Sequence, residues 1–176
     1  MKNIIISAFL FLLPLTASAQ KITLGSMNIT MDNTHGVYKG EMAAGKPHGK
    51  GIVVFDNGNS YEGNFVKGKR HGYGVYTFAD GEKYEGEWFQ NQQQGHGVMY
   101  YYNGDIYVGN WLKDKRQGKG KYTYSNGAFY DGQWADDQKS GKGTFDWGDG
   151  TVYEGMWANN QRSGKGTNRY ADCDIY

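Results

Sequence analysis

Apolar positions in this chain do not recur at helical intervals. They alternate with polar positions over short stretches, and the aromatic ones return at a fixed spacing. Tyr-x-Gly stands at Tyr38–Gly40, Tyr61–Gly63, Tyr84–Gly86, Tyr107–Gly109, Tyr130–Gly132 and Tyr153–Gly155, each tyrosine 23 residues after the last. With the tyrosine as position 0, position 4 reads Met42, Phe65, Trp88, Trp111, Trp134, Trp157. Positions 11 and 13 are glycine in every unit, as in Gly72 and Gly74, and position 17 is always aromatic. Asn-Gly or Asp-Gly fills positions 19 and 20 five times, from Asn57-Gly58 to Asp149-Gly150. Self-similarity at one period marks a repeated structural unit.

Each unit is too short for a helix pair or a βαβ crossover. Its two alternating runs, positions 0 to 5 and 12 to 17, predict one β-hairpin per repeat. Alternate strand residues share a face, which selects the turn. A two-residue turn at positions 19 and 20 puts the two aromatic sets on opposite faces. A three-residue loop over positions 18 to 20 pairs position 15 with the next tyrosine and unites them. It also gives the glycine at 20 the left-handed place at the loop end. Positions 6 to 12 read as the longer loop. Glycine is costly in mid-strand and marks close approach, so positions 2 and 13 are expected to make room between the rings at 0, 4 and 17. The fold predicted is all-β: an elongated, single-layer, twisted antiparallel sheet of tandem 23-residue hairpins. About twelve strands at ~4.8 Å would span about 60 Å.

Composition narrows the class. One cysteine among 176 residues excludes an intrachain disulfide framework. A net charge of +1 argues against a dedicated nucleic-acid binder. Glycine is abundant, at 28 residues, but two prolines and no Gly-X-Y period exclude collagen. Between Tyr38 and Tyr170 there are 25 aromatics against ten Val, Leu or Ile, so the core is expected to be a ladder of rings.

The ends depart from the period. Lys2, the apolar run Ile4–Leu13 and Ala17-Ser18-Ala19 form a secretory signal peptide over residues 1–19, with Gln20 the mature N-terminus. The run is too short for a membrane span, and the mature chain contains no transmembrane candidate. Residues 20–37 are expected to be a capping segment, with Lys21–Leu24 and Asn28–Met31 as a strand pair over the first edge. Residues 38–176 hold six repeats and the start of a possible seventh at Tyr176.

The motif resembles that of the membrane occupation and recognition nexus (MORN) repeat family: Tyr-x-Gly-x-Trp/Phe, a Gly/Lys loop, His-Gly-x-Gly, then Asp-Gly. The second repeat carries nearly all of it, in Tyr61, Gly63, Phe65, Gly68, Lys69, His71, Gly72 and Gly74. The other framework residues are Tyr84, Gly86, Trp88, Tyr107, Gly109, Trp111, Tyr130, Gly132, Trp134, Tyr153, Gly155 and Trp157. Met42 in place of the first ring, His at position 10 only in His48 and His71, and Cys173 in place of a turn glycine depart from it. A choline-binding cell-wall repeat is the rival, locally similar at Met99–Gly104. The MORN resemblance implies a scaffold that contacts proteins or membrane surfaces.

No nucleophile elbow, P-loop or His-Glu-x-x-His motif occurs. The chain is therefore expected to be no enzyme, with no catalytic residue, cofactor or metal. Positions 6 to 12 carry thirteen Lys or Arg against Asp114, Asp136 and Asp137, whereas positions 18 to 21 carry only acids, Asp105 and Asp149 among them. The predicted anion- or partner-binding edge is Lys67, Lys69, Arg70, His71, Lys113, Lys115, Arg116 and Lys119. Its partner would be an unidentified protein or an anionic lipid surface. Alternatives are an accessory region of a longer enzyme and a cell-wall or glycan-binding repeat. Export to the periplasm, cell surface or medium is expected, and mass spectrometry of exported protein should find Gln20 first. An intact Met1 there removes the signal-peptide assignment.

Overall fold

A computed structural model describes residues 21–171. The expected signal peptide, and the start of a seventh repeat with Asp172, Cys173, Asp174 and Tyr176, lie outside the described residues. The strands are β1 (Thr23–Met31), β2 (Thr34–Ala43), β3 (Lys46–Phe55), β4 (Ser60–Val66) and β5 (Lys69–Thr77). Next come β6 (Lys83–Phe89), β7 (Gln92–Tyr100), β8 (Ile106–Leu112) and β9 (Lys115–Thr123). The last are β10 (Phe129–Ala135), β11 (Gln138–Asp146), β12 (Val152–Ala158) and β13 (Gln161–Arg169). They form one open antiparallel sheet in chain order, with no helix among the described residues.

The three-residue loop is present. The Phe55 N–H donates to the Asn59 carbonyl at 2.9 Å, Gly58 takes φ 86°, and Val53 pairs with Tyr61. The side chain at position 19 accepts the N–H at position 21, as Asn57 does from Asn59 and Asp149 from Thr151. This Asx turn explains the Asn/Asp before glycine.

The other connection is shorter than the sequence suggests. Positions 6 and 7 alone make the turn, both with positive φ: 52° and 84° at Lys67 and Gly68, 50° and 77° at Gln90 and Asn91. That is the type I′ pattern, whose twist matches the strands. The strand resumes at position 8. Phe65 pairs with Arg70 and Gly63 with Gly74, so His71, Gly72 and Tyr73 face the single Asn64. Gly72, at φ 66°, carries this bulge. Residues such as Gln90-Asn91 are not a recognisable hairpin signature, and the bulge hides the strand's alternation.

The core follows from one row of glycines. Gly25, Gly40, Gly51, Gly63, Gly74, Gly86, Gly97, Gly109, Gly120, Gly132, Gly143, Gly155 and Gly166 pair in an unbroken line, one per strand. Each repeat's tyrosine lies over its own two row glycines. A Cβ on Gly86 would stand 2.5 Å from the Gly97 Cα and 2.7 Å from the Tyr84 hydroxyl. The room is filled by that tyrosine alone; the ring at position 17 packs on position 15 instead, as Phe78 does on Tyr76 at 4.7 Å. Tyr38, Tyr61, Tyr84, Tyr107 and Tyr130 are fully buried. Their hydroxyls donate to the carbonyl at position 3, Tyr84 to Glu87 at 3.0 Å and Tyr107 to Asn110 at 3.1 Å. In repeats 1 to 4 the bulge leaves position 3 without a partner on the following strand, and tyrosine, unlike phenylalanine, brings a donor to its carbonyl. Tyr61, Tyr84, Tyr107 and Tyr130 also each meet two position-4 rings edge-on: Tyr84 has Trp88 at 5.2 Å and Trp111 at 5.3 Å.

The capping segment is one strand rather than two. β1 pairs along its whole length with β2, which starts before Tyr38. Met31 is buried, and Met27 and Ile29 pack on the core.

Two predictions follow from the ring-over-glycine row. Gly86→Ala should be destabilising by about 1–3 kcal/mol through overpacking. Gly68→Asn should be nearly neutral, because Asn91 holds the equivalent turn place with positive φ. Equal melting temperatures for the two variants would refute the packing account. The tyrosines add a pH dependence. Burial pushes Tyr130 up to about 12 and raises Tyr61, Tyr84 and Tyr107. An unfolded tyrosine ionises at about 10, so this stability is fully present below that pH and is lost as pH climbs through the folded values. Alkaline titration should show the last part of the tyrosinate absorbance, that of the buried rings, rising together with loss of the strand circular-dichroism signal; full ionisation of the tyrosines before that loss contradicts it.

Candidate interaction surfaces

The two-residue turns form one edge of the sheet and the three-residue loops the other. Along the first edge, adjacent repeats are joined by a reciprocal pair of hydrogen bonds. The Asn91 N–H donates to the Arg70 carbonyl at 3.0 Å, and the Asn91 side chain accepts the Arg70 N–H at 2.8 Å. Asp114 with Gln93, Asp137 with Arg116 and Asn160 with Lys139 repeat it. At the first junction Pro47 has no N–H to donate, and its partner Gly68 has no side chain to accept one; only the Gly68 N–H to Pro47 carbonyl bond remains, at 2.8 Å.

This architecture divides the eight predicted edge residues. Lys67 and Lys113 occupy turns, and Lys69 and Lys115 start the following strands; all four are exposed, with Lys115 3.1 Å from Asp136. An exposed pair of that kind is worth about 0–1 kcal/mol. Lys119 pairs with Gln133, one residue out of phase with the glycine row, and so lies on the face away from the core rings. His71 sits in the bulge, 5.2 Å from Phe89. Arg70 and Arg116 turn inward. Position 9 pairs with the ring at position 4 and shares its face, so both guanidinium groups lie on aromatic rings. Arg70 is 4% exposed, ion-pairs with Asp32 from the β1–β2 turn, and stands 4.5 Å from the Trp88 ring. Arg116 stands 4.4 Å from Trp134 and donates to Asp137. Lys139 does the same over Phe145, and burial, then nearby Arg116, hold its ammonium below the usual lysine range. The exposed lysines of the turn edge are Lys46, Lys67, Lys69, Lys113 and Lys115, while Asp136 and Asp137 occupy the fifth turn. Once the period is aligned, position 9 reads Pro47, Arg70, Gln93, Arg116, Lys139, Arg162; its inward direction follows only from the two-residue turn.

The acidic edge is partly structural too. Asp105 is buried, accepts from the Tyr122 hydroxyl at 2.6 Å and from the Ser125 N–H at 2.8 Å. Burial works to raise its carboxyl, and these hydrogen bonds outweigh it, holding it below the usual range. Asn59 makes the equivalent bridge by donating its side-chain N–H to the Tyr76 hydroxyl and accepting the Ala79 N–H. Asp149 is an exposed turn former. Among the described residues no three His, Cys, Asp or Glu side chains come together to hold a metal ion.

A cavity of about 730 Å³ opens on the ring face of repeats 2 to 4. Trp88, Trp111, Met99 and Tyr101 give it apolar walls, and Asp32, Asp114, Asp137 and Arg70 give it charge.

A search of curated proteins finds no match. A family model described as MORN repeat matches residues 38–60, 61–83, 84–106, 107–129, 130–152 and 153–172. These boundaries coincide with the tyrosine register that places every ring over its glycine pair, and the chain belongs to the MORN repeat family.

Proposed function

We propose that this chain is an exported, non-catalytic scaffold module that holds a partner protein on its ring-lined face. The carrying observation is the cavity of about 730 Å³ there, walled by aromatic side chains and rimmed by charge. Apolar walls with a few fixed polar groups are the usual make-up of a binding site. The exposed lysines favour an anionic surface less, because Arg70 and Arg116 are committed to the fold and Asp136 answers Lys115. Membership of a repeat family supports a binding module, and the N-terminal apolar run supports export.

A photo-crosslinking residue tests the surface directly. Gln90 is exposed on the cavity rim, and Lys121 is exposed on the opposite face. A crosslinker at Gln90 should capture one discrete partner from the exported fraction, and a crosslinker at Lys121 should not. Equal capture from both faces, or none from the rim, overturns the assignment.

A further inference from the structure

Position 9 supplies an internal comparison. In repeats 2, 4 and 5 its cation fills a box made by the tyrosine at 0, the ring at 15 and the tryptophan of the next repeat. Arg70 lies 5.8 Å from Tyr61, 5.2 Å from Tyr76 and 4.5 Å from Trp88. Arg116 lies 5.7 Å from Tyr107, 5.5 Å from Tyr122 and 4.4 Å from Trp134. The polar half of the box is equally regular. Arg70 donates from Nη2 to the Asn91 carbonyl at 2.9 Å and Arg116 to the Asp137 carbonyl at 3.0 Å, while Arg116 Nε reaches Asp137 Oδ1 at 3.2 Å.

Repeat 3 has the same box without the cation. Its walls are Tyr84, Met99 and Trp111, and position 9 is Gln93, whose neutral side chain is buried in the cation's place and must swing aside to admit one. Among the described residues no cation lies over these rings, and no side chain donates to the Asp114 carbonyl. Asp114 holds the place of Asp137, accepting the Gln93 N–H as Asp137 accepts that of Arg116. Unlike Asp32 and Asp137, it has no ion-pair partner among the described residues. Gln93, Met99, Trp111 and Asp114 all line the cavity described above. So does Arg70, whose buried Nε has no hydrogen-bond partner among the described residues.

We propose that repeat 3 binds a guanidinium group supplied from outside the chain, over Trp111 and against the carbonyl and carboxylate of Asp114. This rests on the reading that the ring face holds a partner, and it names the chemistry recognised. A guanidinium fits better than an ammonium, because it stacks flat on an indole and forks its donors to one residue. The group is an arginine side chain of a polypeptide or a free arginine-like molecule.

Calorimetric titration of the whole mature chain separates these sources. The probes are Gly-Ser-Arg-Ser-Gly, the same peptide with citrulline, and blocked single arginine (acetyl-arginine amide). The arginine peptide should bind at least about tenfold more tightly than its citrulline counterpart, a difference of 1.4 kcal/mol. Blocked arginine binding as tightly as the peptide identifies a free small molecule as the ligand source; weaker binding identifies a polypeptide. Gln93→Arg places the cation within the chain, as in repeats 2 and 4, and should keep or raise the melting temperature while abolishing binding. Asp114→Asn keeps the turn acceptor that Asn91 and Asn160 provide, and should weaken binding by at least about tenfold. Equal affinity for arginine and citrulline, undiminished binding by a folded Gln93→Arg or Asp114→Asn chain, or no binding of any arginine probe overturns the proposal. Rim crosslinking that persists in Gln93→Arg would defeat this inference while leaving the partner reading intact; arginine binding without any rim crosslink would do the reverse.

Discussion

A tyrosine ring lies flat on a β-sheet only where the strands beneath it carry no side chain. Here that condition is met six times in succession, because every strand places one glycine on a single line across the sheet; only the first, Gly25, lies under Met42 instead of a tyrosine. The glycines are unfavourable in mid-strand by themselves. They become stabilising through the ring each pair admits, whose hydroxyl reaches the carbonyl that the bulge left unpaired. The bulge, the tyrosine and the glycine pair therefore depend on one another, and none makes sense alone. This is also how an open sheet without a second layer builds a core: edge-on contacts between the tyrosines and the position-4 rings run from Tyr38 through Trp157.

The same row couples neighbours. From repeat 3 onward the position-4 ring is tryptophan, and its indole N–H donates to the row glycine of the preceding repeat, as Trp134 does to Gly120 at 2.9 Å. Along the turn edge the residue at position 7 both donates to and accepts from position 9 of the preceding repeat. Pro47 opposite Gly68 shows how tightly the junction is matched, since the missing donor and the missing acceptor occur together. Each repeat thus leans on the next through rings in the middle and backbone at the edge, the nearest-neighbour logic of repeat folds.

The period, the strands and the three-residue loop could be read from the sequence because each has a local signature: glycine where a ring or a left-handed turn needs it, and asparagine or aspartate where an N–H must be caught. The two-residue turn could not. Lys67-Gly68, Gln90-Asn91 and Asp136-Asp137 share no turn vocabulary, and their positive φ angles are imposed by the bulge and the flanking strands. A loop over positions 6 to 12 places Arg70 and Arg116 on a charged edge; with position 9 in a strand, parity turns them onto the rings. The charge separation in the sequence is real, but several of its members hold the fold together.

A repeated lattice makes departures informative, since each position is compared with its equivalents under nearly the same geometry. Met42 and Pro47 lie in the first repeat, where the N-terminal strand β1 replaces a preceding hairpin, and the fold accounts for both. Gln93 and Met99 lie in the interior, flanked by complete repeats with the same Tyr, Trp and glycine contacts on either side. Stability alone would favour a cation and a ring there, as in repeats 2 and 4, because Trp111 and Asp114 already present the surfaces that such a cation uses. The interior departure puts a neutral glutamine where repeats 2 and 4 hold a cation, and leaves the Asp114 carboxylate, which accepts the Gln93 N–H, without an ion-pair partner among the described residues. An acceptor held in place this way lowers the cost of ordering a site on binding, which distinguishes this part of the ring face from the rest of the sheet.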